Sequence, residues 1–221
     1  MKSIELFAGA GGLAMGISAA GFRPVAVIER DGDACKTIRE NQRNGVAPAR
    51  HWPLIERDVK AFDYSEIRCS IDLVSGGPPC QPFSLGGKHG GYRDDRDLFP
   101  EAIRAVRSLS PSAFIFENVR GLTRPLFRNY FQYIRLQLAH PEVSRKPKEA
   151  WTDHLGRLEK LETSGKDDGL TYGVVYRVLN AADFGVPQRR ERVFLVGFRS
   201  DLKLDWFFGL DIDRLAAVLT R

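Results

Sequence analysis

The stretch from Ile4 to Glu29 constrains the fold more than any other part of this chain. Ile4 to Phe7 reads as a short buried strand and Gly9 to Gly12 as a glycine-rich turn. Leu13 to Ala20 reads as a helix stopped at Gly21, and Val25 to Glu29 as a second strand. A strand, a helix and a second strand make a β-α-β unit, which brings two parallel strands together through a right-handed crossover. A helix over Asp33 to Asn41 follows. Further strands are read at Ile71 to Ser75 and Ala113 to Glu117, and further helices at Pro100 to Ser108 and Phe127 to His140. Two last strands, Val174 to Leu179 and Arg192 to Phe198, flank a loop carrying Asp183 to Glu191 and can pair antiparallel. The expected fold class is α/β: an open, mostly parallel sheet with helices on both faces and an antiparallel edge strand.

A chain of 221 residues suits one domain with a tail. The expected division is a catalytic-type domain over residues 1–200 and a tail over 201–221. The polar stretch at about 141–169 reads as a surface insertion with one helix near Leu155 to Leu161. In the tail, Trp206, Phe207, Phe208 and Leu210 form an apolar patch that suits a hinge or a partner contact. No apolar run approaches the ~20 residues that span a bilayer, and the first residues lack the pattern of a signal peptide. An intracellular, cytoplasmic protein is the expectation. The net charge of +5 fits a polyanionic partner as readily as a solvated basic surface. The three cysteines, Cys35, Cys69 and Cys80, are odd in number and widely spaced, which argues against a disulfide framework. With no Cys-x-x-Cys pair and four scattered histidines, no metal site is expected.

Glycines in the turn let the backbone bend sharply and approach a ligand closely. Glu29 ends the next strand about 20 residues later, where a carboxylate can accept hydrogen bonds from both hydroxyls of a ribose. The pairing suits any adenosine-containing cofactor. Because Gly9, Gly11 and Ala14 also fit the dinucleotide fingerprint, the turn does not separate a nicotinamide cofactor from S-adenosylmethionine. Asp58 is placed to meet an adenine amino group if a third strand ends there; otherwise it is a surface loop residue.

Cys80 lies in Gly76-Gly77-Pro78-Pro79-Cys80-Gln81-Pro82-Phe83-Ser84. Two prolines stiffen the backbone before it, and a core cysteine rarely needs such a loop. A thiolate held there is a strong nucleophile. Glu117-Asn118-Val119 ends a strand that can lie beside the one leading to Cys80, where a partly desolvated carboxyl group can serve as a proton donor.

Four segments together resemble, in order, the motifs of the DNA cytosine-5 methyltransferase family. They are Phe7-Ala8-Gly9-Ala10-Gly11-Gly12, Pro78 to Ser84, Glu117-Asn118-Val119 and Gln188-Arg189-Arg190-Glu191-Arg192. The resemblance runs from about Ser3 to Phe198, and the tRNA cytosine-5 methyltransferases of the same superfamily share it. It implies a Rossmann-like S-adenosylmethionine-dependent methyltransferase fold and no metal. It implies that Phe7, Ala8, Gly9, Gly11, Gly12, Leu13, Glu29, Asp58 and Pro78 hold the cofactor. By the same resemblance, Cys80 attacks C6 of a flipped-out cytosine, Glu117 donates a hydrogen bond or proton to N3, and Arg192 holds O2 with Arg190 beside it. Gln81, Ser84, Lys88, Arg93 and Arg96 become contacts to double-stranded DNA on a lid hinged at Gly86-Gly87 and Gly90-Gly91.

Nothing after Phe198 resembles the target-recognition domain or the final motif with which the family normally continues. The expectation is therefore one subunit of a split enzyme, with a second polypeptide supplying recognition, or a truncated form; a minimal enzyme working alone ranks last. The alternatives are a tRNA cytosine-C5 methyltransferase, a non-catalytic binding subunit, and a nicotinamide dehydrogenase. The last explains Glu29 but leaves Cys80 and Gln188 to Arg192 without a role.

Overall fold

The structure is a computed structural model, and it describes residues 1–79 and 97–203. Among these residues seven strands form one sheet in the order β3-β2-β1-β4-β5-β7-β6. The strands β1 (Lys2–Leu6), β2 (Arg23–Glu29), β3 (Leu54–Glu56), β4 (Leu73–Gly76) and β5 (Ala113–Val119) are parallel. β6 (Tyr172–Asn180) and β7 (Glu191–Arg199) form an antiparallel pair, and β7 is also antiparallel to β5. The expected antiparallel strand thus stands one place in from the edge, with β6 outside it. The apolar content of the two strands accounts for this: β7 buries Val193, Leu195 and Val196, whereas β6 is mostly half-buried.

The helices are α1 (Gly12–Ala19), α2 (Gly32–Arg43), α3 (Phe99–Leu109), α4 (Arg128–Ala139) and α5 (Trp151–Ser164). α2 starts where the Asp31 side chain accepts from the backbone N–H groups of Asp33 and Ala34 at 3.1 and 2.8 Å, a cap worth about 1 kcal/mol. The two-residue alternation of β2 divides the core. Val27 packs with Ala14 of α1, Ile38 of α2 and Trp52. Ala26 and Ile28 face the larger cluster, with Leu6, Val74, Phe114 and Phe116 from the sheet, Phe99 from α3 and Ile134 from α4. Helices therefore cover both faces, and each large side chain buried this way contributes about 1.5–3 kcal/mol. Between the two middle strands the backbones approach closely: a Cβ on Gly76 would lie 2.4 Å from the Leu6 carbonyl oxygen.

The stretch at 141–169 is more ordered than its polarity suggests. α5 is longer than expected and buries His154, Leu155 and Leu158. His154 Nε2 lies 2.8 Å from the Val143 carbonyl and Nδ1 lies 2.8 Å from the Tyr133 hydroxyl. The carbonyl can only accept, so Nε2 carries the hydrogen and Nδ1 accepts from Tyr133. The third strand on which the reading of Asp58 depends is β3, which is three residues long, follows Pro53 and ends at Glu56, just before Asp58. No helix among the described residues is long and apolar enough to cross a membrane.

One polar cluster lies within the sheet. Ile4 and Leu6 of β1 face the larger cluster, so Ser3 and Glu5 point to the opposite face, where both are buried. The Glu5 carboxyl group accepts from the Ser3 hydroxyl at 2.7 Å and from the Ser75 hydroxyl of β4. Burial raises its pKa from the usual 4.5, and the hydrogen bonds from Ser75 and Ser3 pull the other way. The folded state thus favours the protonated acid. Its stabilising effect is complete below the unfolded-state pKa and is lost as the pH rises through the raised folded-state value. A Gln side chain can serve both hydroxyls and cannot ionise. Glu5→Gln is therefore expected to gain stability relative to the parent as the pH climbs from below 4.5 toward neutrality. Urea midpoints measured across that range check this, and a Glu5→Gln midpoint that falls relative to the parent as the pH rises would show the sign to be wrong.

Candidate active site

The order β3-β2-β1 on one side and β4-β5 on the other means that the chain reverses its winding between β1 and β4. In open α/β sheets a crevice forms at the carboxyl ends of the strands at such a switch point. The turn leaving β1 enters it with Phe7 in the left-handed region at φ 52°, where a bulky side chain is uncommon. Gly11, at φ 95°, caps α1. A Cβ there would sit 2.5 Å from the Trp52 ring, so only glycine fits. The carboxylate of Glu29 ties the turn to the end of β2. Its Oε2 accepts from Gly9 N at 2.6 Å, and its Oε1 accepts from Arg30 N and Asp31 N at 2.8 and 2.7 Å. Asp58 accepts from Lys60 N at 2.9 Å and pairs with Arg30 at 3.0 Å. These contacts, the Lys60 hydrogen bond foremost, hold its carboxyl below the usual range.

Two adjoining cavities share Phe7 and Gly77 in their walls. The smaller, about 110 Å³, brings Glu29 and Asp58 together with Ile28 and Leu98. The larger, about 720 Å³, places Ala8, Gly9, Gly12 and Leu13 opposite Glu117, Arg190 and Arg192. Gly11 and Pro78, also expected to hold a cofactor, line neither of these cavities. Gly11 packs on Trp52, and the Pro78 carbonyl accepts from the Asn118 amide at 2.8 Å. Antiparallel register sets Glu117 opposite Phe194 and Val119 opposite Arg192, so Glu117 and Arg192 are diagonal neighbours on one face. Arg192 Nε lies 2.8 Å from Glu117 Oε1, with both side chains about one quarter exposed. The other carboxylate oxygen, Glu117 Oε2, lies 3.4 Å from where a Cβ on Gly77 would be. Arg192 Nη1 donates to the Glu191 carbonyl at 2.8 Å. Nη2 makes no hydrogen bond with any described residue.

A model of the C-5 cytosine-specific DNA methylase family matches residues 1–141 and 153–215. The chain belongs to this family. It is 40% identical over 199 residues to the Type II methyltransferase M.NgoMIV of Neisseria gonorrhoeae, covering 90% of this chain and 52% of that one. It is 39% identical over 206 residues to the Type II methyltransferase M.AquIA of a Picosynechococcus species, covering 90% of this chain and 72% of that one. The chain thus spans about half the length of M.NgoMIV and nearly three quarters of M.AquIA. A crystal structure of a prophage-encoded protein of E. coli, described as a DNA modification methyltransferase, superposes with a TM-score of 0.62 at 26% identity, over 94% of this chain and 49% of that one. The Spodoptera frugiperda DNMT2 structure, at 21% identity and a TM-score of 0.59 over 95% of this chain and 53% of that one, shares the fold.

Six of the residues singled out in the sequence lie outside the described residues: Cys80, Gln81, Ser84, Lys88, Arg93 and Arg96. The apolar patch Trp206, Phe207, Phe208 and Leu210 does too. Pro79 and Leu98, which flank the first group, meet at the smaller cavity, where Leu98 N donates to the Pro79 carbonyl at 3.2 Å. Sequence reading missed the apolar wall of the larger cavity, Leu179, Phe184 and Phe194, because these residues are ordinary hairpin hydrophobics until the hairpin folds over the β1 turn. It also left Asn118 without a task. Asn118 is buried and, besides holding Pro78, accepts from Val119 N at 2.9 Å. No group of three His, Cys, Asp or Glu side chains among the described residues is placed to hold a metal ion.

Asn118→Ala removes both partners at once. The expected loss is about 1–3 kcal/mol of stability, the usual penalty for a buried polar group left unpaired. Asn118→Asp keeps the acceptor but sets a buried carboxylate oxygen against the Pro78 carbonyl, so at neutral pH it should lose at least as much as Asn118→Ala. Denaturant titration of the three proteins checks the order.

Proposed function

We propose that this chain carries the catalytic machinery of a DNA cytosine-C5 methyltransferase acting on a cytosine turned out of the duplex. The observation that carries the reading is the Glu117–Arg192 pair. It stands in one cavity with the β1 turn and beside Gly77, three residues before Cys80. A cytosine ring presents N3 and O2 side by side. A carboxyl group beside a guanidinium with a spare Nη2 matches that edge, Glu117 serving N3 and Arg192 serving O2.

Cytosine C5 is too weak a nucleophile to take a methyl group unaided. On this reading the Cys80 thiolate adds to C6 while Glu117 stabilises the charge moved onto N3, which makes C5 electron-rich. A methyl group then adds to C5. Loss of the C5 proton and departure of Cys80 restore the ring. S-adenosylmethionine, when bound, supplies the methyl group. The lining of the smaller cavity suits the adenosine end of the cofactor: Ile28 and Phe7 offer apolar contact for a flat base. Glu29 Oε2 accepts one backbone N–H and keeps room for a ribose hydroxyl. Asp58 lines the same cavity. Target selection comes from sequence outside the stretch shared with the relatives, in the same polypeptide or in a second one. A Type II role follows the names of the relatives, and this reading places it in a restriction-modification system in the cytoplasm.

The test is trapping on a duplex that carries 5-fluorocytosine in many sequence contexts, because fluorine at C5 blocks the last elimination. With S-adenosylmethionine present, the parent chain should form a covalent adduct that Cys80→Ala does not. Glu117→Gln should slow adduct formation about 10²–10⁴-fold, the usual worth of a positioned acid. A parallel reaction with 5-fluorocytosine-substituted tRNA separates the RNA reading, since an adduct with tRNA alone would reassign the polymer. A parent that binds no S-adenosylmethionine and forms no adduct with either polymer would sink the proposal.

A further inference from the structure

Beside the larger cavity lies a second cleft of about 750 Å³ between the chain leaving β5 and the loop that joins β6 to β7. Five arginines line it, Arg120 and Arg124 from the first wall and Arg189, Arg190 and Arg192 from the second, with one acid, Glu191. The chain as a whole carries 33 basic and 28 acidic residues. The cleft therefore holds a concentration of positive charge far above the average for this surface. Glu191 is taken up by Arg120. Arg124, Arg189 and Arg190 are exposed and their side chains have no hydrogen bond or ion pair with any described residue. Three guanidinium groups without a partner among the described residues, on facing walls, repel one another, and the described fold gives them no reason to converge. A planar fork of N–H donors is the side chain best matched to phosphate oxygens, whereas a merely solvated surface has no preference for arginine over lysine.

The position of the cleft identifies the anion. Arg190 and Arg192 line both the cleft and the larger cavity, so the two spaces meet along one wall. A nucleotide whose base enters the cavity stays joined to its strand, and its own and neighbouring phosphates must then lie within one sugar's reach of the base. We infer that the Arg120–Arg124–Arg189 cleft is the seat of the sugar–phosphate backbone on one side of the flipped nucleotide, with Arg124 and Arg189 as free phosphate ligands and Arg120 available when its pairing with Glu191 opens. This deepens the methyltransferase reading and rests on it. Contacts of this kind carry no base information; they fix where the strand runs and how the base is presented.

The test is the salt dependence of binding to a plain B-form DNA duplex by the full chain with S-adenosylhomocysteine present. Removing one ionic partner of a phosphate lowers the slope of log K against log salt by about 0.9. Arg124→Ala and Arg189→Ala should each lower the slope by about 0.9, the double variant by about twice that, and each should weaken binding at low salt. Lys160→Ala, which removes an equal charge from the exposed face of α5, should leave slope and affinity at the parent values. Affinity for S-adenosylhomocysteine serves as the control for folding in all variants. Parent-like slopes in Arg124→Ala and Arg189→Ala would overturn this inference while leaving the methyltransferase reading intact, and so would an equal fall in slope in Lys160→Ala. A parent chain that binds the homocysteine but prefers a hairpin RNA to the duplex would overturn the assignment of the cleft to DNA. A parent that binds neither would take the methyltransferase reading down as well.

Discussion

The reversal of winding between β1 and β4 is the constraint from which the site follows. Two strands that neighbour each other but send their chains to opposite sides leave a gap at their carboxyl ends. The close approach of Gly76 to the Leu6 carbonyl fixes how wide that gap is. A side chain at position 76 would push β4 away from β1 and carry the Gly77-Pro78-Pro79 segment with it. Asn118 adds a third strand to the arrangement by holding the Pro78 carbonyl from β5. The turn after β1, the proline segment after β4 and the acid at the end of β5 are therefore held at fixed separations by backbone contacts, without help from their own functional side chains.

Three glutamates show how one side chain is put to different uses by its surroundings. Glu5 is buried against two hydroxyls, where the protonated acid is favoured. Glu29 collects three backbone N–H groups and so acts as a brace between the first two strands. Glu117 meets a guanidinium across a strand pair and looks into the cavity. Only the last is arranged to change partners when something enters. The other two are parts of the frame, although Glu29 keeps acceptor capacity toward the cavity it lines.

Much of this was legible in the sequence because the signals are local. The alternation of strand and helix, the glycine turn, Glu29 at its spacing and the Glu117-Asn118-Val119 segment all keep their meaning without tertiary context. Other features depend on partners far away in the chain. β3 is only three residues long and is a strand because β2 offers it an edge. β7 takes the inner place over β6 because Leu195 stands opposite Phe116 and Gly197 leaves room for the Phe114 ring, a comparison no single segment displays. Arg120 and Arg124 carry no local signal in the sequence; they gain significance only when the loop carrying Arg189 folds opposite them. Glu5 sits in the middle of a strand rightly read as buried, but nothing local shows that Ser75 would be across from it.

The left-handed backbone at Phe7 has a consequence for how a ligand would be received. Holding a bulky residue in that conformation costs on the order of 1–3 kcal/mol, a cost that folding bears wherever the turn keeps this shape. The core beneath it bears that load, and an incoming molecule meets a wall that is already ordered. A glycine at this position would relax the backbone and transfer the work of ordering to the moment of binding. In calorimetry the natural turn should therefore bind with a small entropic penalty, as a rigid mould does, where a relaxed one would show the signature of a segment that folds around its ligand.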